Sequence, residues 1–171
     1  NTERGLYLEG GTFGNAIEGN TVAYNGVDFK LKGHGIVIDS GTKNRISRNS
    51  IHDNAGRGID LRKTPGVDDG FTVNDTYADA ASKDGDPDTG ANDLQDYPVI
   101  VARSLADTNK GVHTWRISSK PSTQYTVEFF QNTVADPSGF GEGETFLDSK
   151  TVVTDTYGNA DIEFDHAGKT F

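Results

Sequence analysis

The sequence predicts an all-β protein. Two observations predict it: an internal repeat at a fixed offset, and a second half in which short apolar runs alternate with turn signals. Asn15, Ile17, Asn20, Val22 and Asn25 recur as Asn44, Ile46, Asn49, Ile51 and Asn54, each displaced by 29 positions. The stretch before them repeats as well. Gly5, Leu6, Tyr7 and Leu8 return as Gly35, Ile36, Val37 and Ile38 at an offset of 30, and Gly58, Ile59, Asp60 and Leu61 supply a third copy 23 residues later.

Around Ile46 and Ile51 the residues are polar, and Asn or Gly falls where the backbone must turn. That is the pattern of short strands joined by corners. The 23-residue interval matches one turn of a parallel β-helix, in which each coil buries its inward residues by stacking on its neighbours. Asparagine tolerates left-handed backbone, so the corner asparagines are expected to take it. Their carboxamides are expected to bond across coils, Asn20 with Asn49 and Asn25 with Asn54. The longer first interval places an excess of 7 residues in 27–34, an apolar and basic segment expected to project as a loop or an extra strand.

Residues 62–97 are rich in Asp, Gly, Asn, Thr and Pro with almost no apolar periodicity. A structureless connection of this length is uncommon inside a compact domain, so it is flexible or something organises it. Calcium is the candidate organiser. Asp84, Asp86 and Asp88 alternate, Gly90 permits a sharp turn, and Asn92, Asp93 and Gln95 offer further oxygens. Calcium takes six to eight oxygen ligands, and a segment of this kind supplies several from one loop. The match to the helix-flanked loop is imperfect, since the glycine sits one place late and Gln95 stands where that loop has glutamate. The metal candidates are therefore Asp84, Asp86, Asp88, Asn92 and Asp93, with Asp68 and Asp69 as an additional donor pair or a second site. The alternative is a solvated, turn-rich linker.

From Pro98 onward the period is again that of strands, over 99–102, 112–117, 125–130, 145–147, 150–153 and 160–164, with turn signals between them. Strands at this spacing suggest an antiparallel sandwich with Trp115, Tyr125, Val127, Phe129 and Ile162 in its core. An exposed aromatic face that binds sugar is the sharper alternative.

Taken together, residues 35–61, 86–98, 125–132 and 136–147 resemble the C-terminal part of bacterial secreted and cell-surface proteins with right-handed parallel β-helix repeats. The resemblance runs roughly from Gly5 to Phe164. It implies a coil of about two to three turns followed by an immunoglobulin-like β-sandwich, and it implies architecture better than activity. The domains expected are 1–61, the β-helix coils; 62–97, the calcium-ordered connector; and 98–171, the sandwich, lacking its last strands.

Composition agrees with export. There is no cysteine, hence neither a disulfide framework nor a thiolate site, and no methionine, which points to a processed product or an excised fragment. With 26 acidic and 16 basic side chains the net charge is −10, which argues against nucleic acid or an anionic membrane and favours divalent cations. No apolar run has the length needed to span a bilayer.

Many coiled β proteins cut acidic polysaccharides with carboxylates and a basic residue near the sugar. Asp39, Asp53 and Asp60 with Arg45, Arg48 and Arg57 are the right residue types here. Two to three turns are too few for an extended sugar groove, and charged side chains solubilise every such coil. His34, His52, His113 and His166 show no metal-ligand spacing. The expectation is a non-catalytic extracellular structural or adhesive module, stabilised by calcium. The alternative is a polysaccharide-binding or polysaccharide-cleaving fragment of a larger secreted enzyme. Expected partners are a cell-surface polysaccharide and a homopolymer built by head-to-tail strand addition, because the coil beginning at Gly5 has nothing above it. A fragment cut from a longer polypeptide is the other reading of the two ends.

Overall fold

The computed structural model describes residues 3–26, 33–68, 70, 72–74, 88–103, 112–136 and 141–165. The first coil contains β1 (Leu6–Leu8), β2 (Thr12–Phe13), β3 (Ala16–Glu18) and β4 (Thr21–Ala23). The second contains β5 (Ile36–Ile38), β6 (Gly41–Thr42), β7 (Arg45–Ser47) and β8 (Ser50–His52), and β9 (Ile59–Leu61) opens a third. Each strand pairs in parallel with its copy, Ile17 opposite Ile46, Val22 opposite Ile51, and Leu6 opposite Ile36 opposite Ile59. The repeat offsets are therefore strand registers, and this part of the chain is a parallel β-helix. Of the 27–34 excess, 27–32 lie outside the described residues.

Inside the coil, Val22, Ile36 and Ile51 form the buried core, with Ile17 and Ile46 packed against it. Neighbours above and below bury β5 completely: Ile36, Val37 and Ile38 are each 0% exposed, whereas Leu6 in the first coil is 37% exposed.

The ladders form, and the corner conformation corrects the expectation. No corner asparagine in the first two coils has positive φ. The residue before each does: Gly14, Gly19 and Tyr24 in the first coil, Lys43, Arg48 and Asp53 in the second. The left-handed residue turns the chain, and the asparagine that follows is then aimed along the coil axis with its own N–H and carboxamide pointing the same way. Asn15 N and Nδ2 both donate to Asn44 Oδ1, at 3.1 and 2.8 Å.

After Arg62 the chain leaves the coil, and it returns where Ala91 N donates to Arg62 O. A short left-handed turn, Ala91–Leu94, follows, with Asn92, Asp93 and Leu94 at φ of 49°, 55° and 47°. Asn92 Oδ1 accepts from Asn44 N at 3.0 Å and from Asn44 Nδ2 at 3.3 Å, so Asn92 is the third rung of the column begun by Asn15 and Asn44. It does so 33 residues after Ile59, where the second coil takes 8 residues from Ile36 to Asn44.

By contacts the chain forms two compact units, Asn1–Thr72 with Thr89–Leu94 and Glu128–Asp148, and Val73–Asp88 with Gln95–Val127 and Ser149–Phe171. The C-terminal strands are β10 (Val99–Arg103), β11 (Val112–Ser118), β12 (Gln124–Gln131), β13 (Thr145–Val153) and β14 (Asn159–Asp165). β11 lies between β10 and β14 and is antiparallel to both, with a register shift between Ile100 and Ala102, while β12 pairs with β13. These sheets fit a sandwich. The runs 145–147 and 150–153 are one strand and not two, since Asp148 and Ser149 continue the pleat without a turn residue. Ile117, Val127, Phe129, Ile162 and Phe164 are buried; Trp115 and Tyr125, expected in the core, are half-buried. The end of the chain, 166–171, where a last strand was expected to be missing, lies outside the described residues. No helix among the described residues is long and apolar enough to cross a membrane.

Candidate functional site

The three-stranded sheet β1–β5–β9 turns one residue of each strand outward: Tyr7, Val37 and Asp60, aligned in register. The alternation Ile59, Asp60, Leu61 places the carboxylate on this outer face. Yet Asp60 is only 4% exposed, because charged side chains on both sides of β9 close over it.

Arg57 Nη1 donates to Asp60 Oδ1 at 2.9 Å and to Asp68 Oδ1 at 3.4 Å. Arg62, 1% exposed, donates through Nη1 to Asp39 Oδ1 at 3.0 Å and through Nε to Asp60 Oδ2 at 3.4 Å. Gly66 N donates to the same Asp39 oxygen at 2.8 Å, which ties the 62–68 segment to the second coil. The Arg62 guanidinium also lies 5.6 Å from the centre of the Tyr7 ring, and that of Arg4 lies 4.5 Å from it. Burial acts to raise the Asp39 pKa, but hydrogen bonds from Gly66, Tyr7 and Arg62 and the guanidinium charge outweigh it and hold the group below the usual carboxylate range. Asp68 is lowered in the same way: burial opposes, and hydrogen bonds from His34 and Arg57 prevail.

His34 sits at the edge of this network, 2% exposed. Its ring is packed so closely on Gly56 that a Cβ there would stand 2.5 Å from Nδ1. Arg57 N donates to Nδ1 at 2.9 Å, so Nδ1 is an acceptor and the neutral ring carries its hydrogen on Nε2, facing Asp68 Oδ2 at 3.3 Å. One ligand atom each from His34, Asp60 and Asp68 lies within 4.8 Å of the others, a spacing that suits a metal ion. The tautomer argues against one. A histidine that ligates through Nε2 keeps its hydrogen on Nδ1, and here Nδ1 faces a donor. A metal would also displace Arg57 and Arg62 from their carboxylates. What the arrangement does chemically is pair its own charges: three carboxylates are held by two guanidiniums and one imidazole N–H, with one negative charge left over.

Of the residue types that sugar cleavage would use, the structure brings together Asp39, Asp60 and Arg57. It does not bring the others there. Asp53 pairs with His52 Nδ1 at 2.8 Å, beside the exposed ring of Tyr24, which meets His52 edge-on at 5.7 Å. Arg45 pairs with Glu18, and Arg48 lies 5.1 Å from the centre of the Phe146 ring. Of the metal candidates, Asp84 and Asp86 lie outside the described residues, as does Asp69. Asp88 and Asp93 are described, and Asn92 turns its oxygen to the ladder.

His34 and Arg62 entered no candidate set. The signal for them was positional: each flanks a copy of the Gly-Ile strand, His34 before Gly35 and Arg62 after Leu61.

A second site-like feature is the lower end of the coil, where residues distant in sequence take over the ladders. Glu142, 9% exposed, accepts from Asn54 N at 3.2 Å and Asn54 Nδ2 at 2.8 Å. Glu128 accepts from Ser47 Oγ at 2.6 Å and Arg48 N at 2.8 Å. Ile51 N donates to Gly143 O at 2.7 Å. Burial raises the Glu142 pKa, opposed by the Asn54 bonds and assisted by the charge of Asp136. Acceptors thus meet the columns ending at Asn44 and Asn54 where a further rung would have stood, and Glu128 meets the corner beside Asn49.

No curated protein matches the chain. The family model described as the right-handed β-helix region matches residues 1–72, the stretch that holds both full coils, β9 and the paired network, so the N-terminal part of this chain is a right-handed β-helix.

Proposed function

We propose that this chain is a non-catalytic structural or adhesive module of an extracellular protein, with the β-helix as its rigid part. The observation that carries this reading is the paired network of Asp39, Asp60, Asp68, Arg57, Arg62 and His34. The groups best placed to handle a charged sugar are buried against one another and fasten the 62–68 segment to the coil. A general acid or base must instead reach its substrate proton within hydrogen-bond distance. The absence of cysteine and the net charge of −10 support an extracellular setting, and the aspartates at 84, 86, 88 and 93 support calcium as a stabiliser.

The test separates structure from catalysis. Incubated with polygalacturonate or alginate, the chain is expected to release no unsaturated or reducing ends, while Asp60→Asn lowers the melting temperature. Turnover that Asp60→Asn abolishes in a still-folded protein would overturn the proposal and favour the polysaccharide-cleaving alternative. In the same melts, calcium against chelator reads the stabiliser: about 2.7 kcal/mol is expected when free ion is a hundred times its Kd. Identical curves would remove calcium from the proposal.

A further inference from the structure

Along the corner columns each rung donates to the one below it. Asn15, Asn20 and Asn25 give a backbone N–H and an Nδ2–H to Oδ1 of Asn44, Asn49 and Asn54 respectively, at 2.8 to 3.1 Å. Asn44 passes the same pair of donors to Asn92 Oδ1. Asn54 passes its pair to Glu142, from Nδ2 to Oε1 at 2.8 Å and from N to Oε2 at 3.2 Å. Among the described residues the acceptor is thus a carboxamide at Asn44, Asn49, Asn54 and Asn92, and a carboxyl at Glu142. The difference matters because one carboxamide oxygen already satisfies both donors in the other rungs, without taking a charge out of water. An acid stands where an amide would serve.

The surroundings hold that acid in place and do little for its charge. Glu142 is 9% exposed, and a Cβ added at Gly58 would stand 3.2 Å from its Cγ. Its own carbonyl accepts from Asn132 Nδ2, and the carbonyl of Gly143 accepts from Ile51 N, so the backbone beside it is fixed. The charged groups that bear on it are Asp136, which opposes ionisation, and His52, which favours it. Burial is the largest influence, and with Asp136 it outweighs the Asn54 hydrogen bonds and His52, so the carboxyl is held above its ordinary range.

We propose that Glu142 is a proton-operated clasp: with its proton it fastens the 141–144 segment to the lower end of the coil, and on ionising it loosens that segment and bares the Asn54 donors and the edge of β8. A carboxyl raised in the folded chain binds its proton more tightly there than in the unfolded one. The stability it contributes is therefore fully present below its unfolded value and is lost as pH rises through its folded value. Asp39 and Asp68, both lowered, act in the opposite sense, and their contribution is lost as pH falls. The inference goes beyond the module reading and does not depend on whether the chain turns over a sugar.

Two measurements on the intact chain test it. The carbon-13 shift of the Glu142 side-chain carboxyl, followed by NMR as pH is varied, is expected to titrate with a midpoint above the ordinary value of 4.5. A midpoint at or below that value would overturn the proposal. Amide exchange at Ile51 and Asn54 is then compared between the natural chain and Glu142→Gln at the same pH, which cancels the intrinsic chemistry of exchange and the titration of every other group. From about pH 4 to about pH 8 the rate in the natural chain, relative to the variant, is expected to rise by about tenfold for each unit by which the carboxyl is raised. A ratio that stays constant, or that falls as pH rises, would overturn the clasp. Should Glu142→Gln fail to fold, the carboxyl titration of the natural chain decides by itself.

Discussion

The first and second coils share five residues in register, or nearly so, and fold to the same strands and corners, yet they live in different surroundings. Ile36 and Ile38 are fully buried between two neighbours, whereas Leu6 keeps 37% of its surface with one neighbour among the described residues. The corners differ too. Where the first coil uses Gly14 and Gly19 in the left-handed region, the second uses Lys43 and Arg48 at φ of 58° and 52°. The lesson is that the repeat specifies geometry while position in the stack sets energy. A residue is worth what its neighbours above and below make of it, as expected for quasi-one-dimensional repeats.

Three sets of substitutions sharpen that comparison, measured by chemical denaturation of each variant. The largest effect is expected in the apolar column. Ile36→Ala should cost about 2–5 kcal/mol, because a fully enclosed site cannot collapse around the cavity. Leu6→Ala should cost only ~1 kcal/mol, since much of that side chain is already in water. Equal losses would show that the first coil is covered as completely as the second.

Next come the ladders. Asn49→Ala removes the acceptor of Asn20 N and Nδ2 and the donor to Ile17 O, leaving partly buried polar groups unpaired, for about 1–3 kcal/mol. Asn20→Ala removes donors only, since its own oxygen accepts nothing from a described residue, and should cost clearly less. A larger loss at Asn20 than at Asn49 would reverse the direction assigned to the ladder.

The smallest effect belongs to the corners. Gly14→Ala should destabilise by roughly 1 kcal/mol through left-handed strain alone, because no atom lies within 4 Å of the added methyl group. Lys43→Gly should fall within about 1 kcal/mol of zero, strain relief offsetting the extra freedom of the unfolded chain. A large loss at Lys43 would mean that its ammonium, 5.3 Å from the centre of the Phe13 ring, matters more than the backbone.

How much of this was legible varies by element. Strand registers could be read from the offsets, since identical residues stacked in a parallel coil must lie opposite one another. The ladder partners Asn20 with Asn49 and Asn25 with Asn54 were legible for the same reason. The corner conformation was misassigned by one residue: propensity favours asparagine in left-handed backbone, but the hydrogen bonds along the column need the asparagine's own N–H aimed at the next coil, so the preceding residue bends instead. Asn92 could be found only as a loop oxygen donor, because 33 residues without a periodic mark separate it from Ile59. The charged network was half visible. Asp39, Asp60 and Arg57 were named for their chemistry, while His34 and Arg62 waited for the fold to carry them onto one face.

By itself the sequence determined what is repeated: apolar residues at the strand centres, asparagines at the corners, the all-β class, and the switch to alternating strands after Pro98. Such patterns act through local geometry and through neighbours at one fixed offset, so they are written in the chain. The tertiary structure alone decided how the stack ends. Asn92 and Glu142 meet the rungs at Asn44 and Asn54, and Glu128 meets Ser47 and Arg48, from positions 48 to 88 residues away from their partners, while the arginines and aspartates pair between the second coil, β9 and the 62–68 segment. Those contacts have no period. They arise because a polar group deprived of water must find a partner wherever the folded chain brings one.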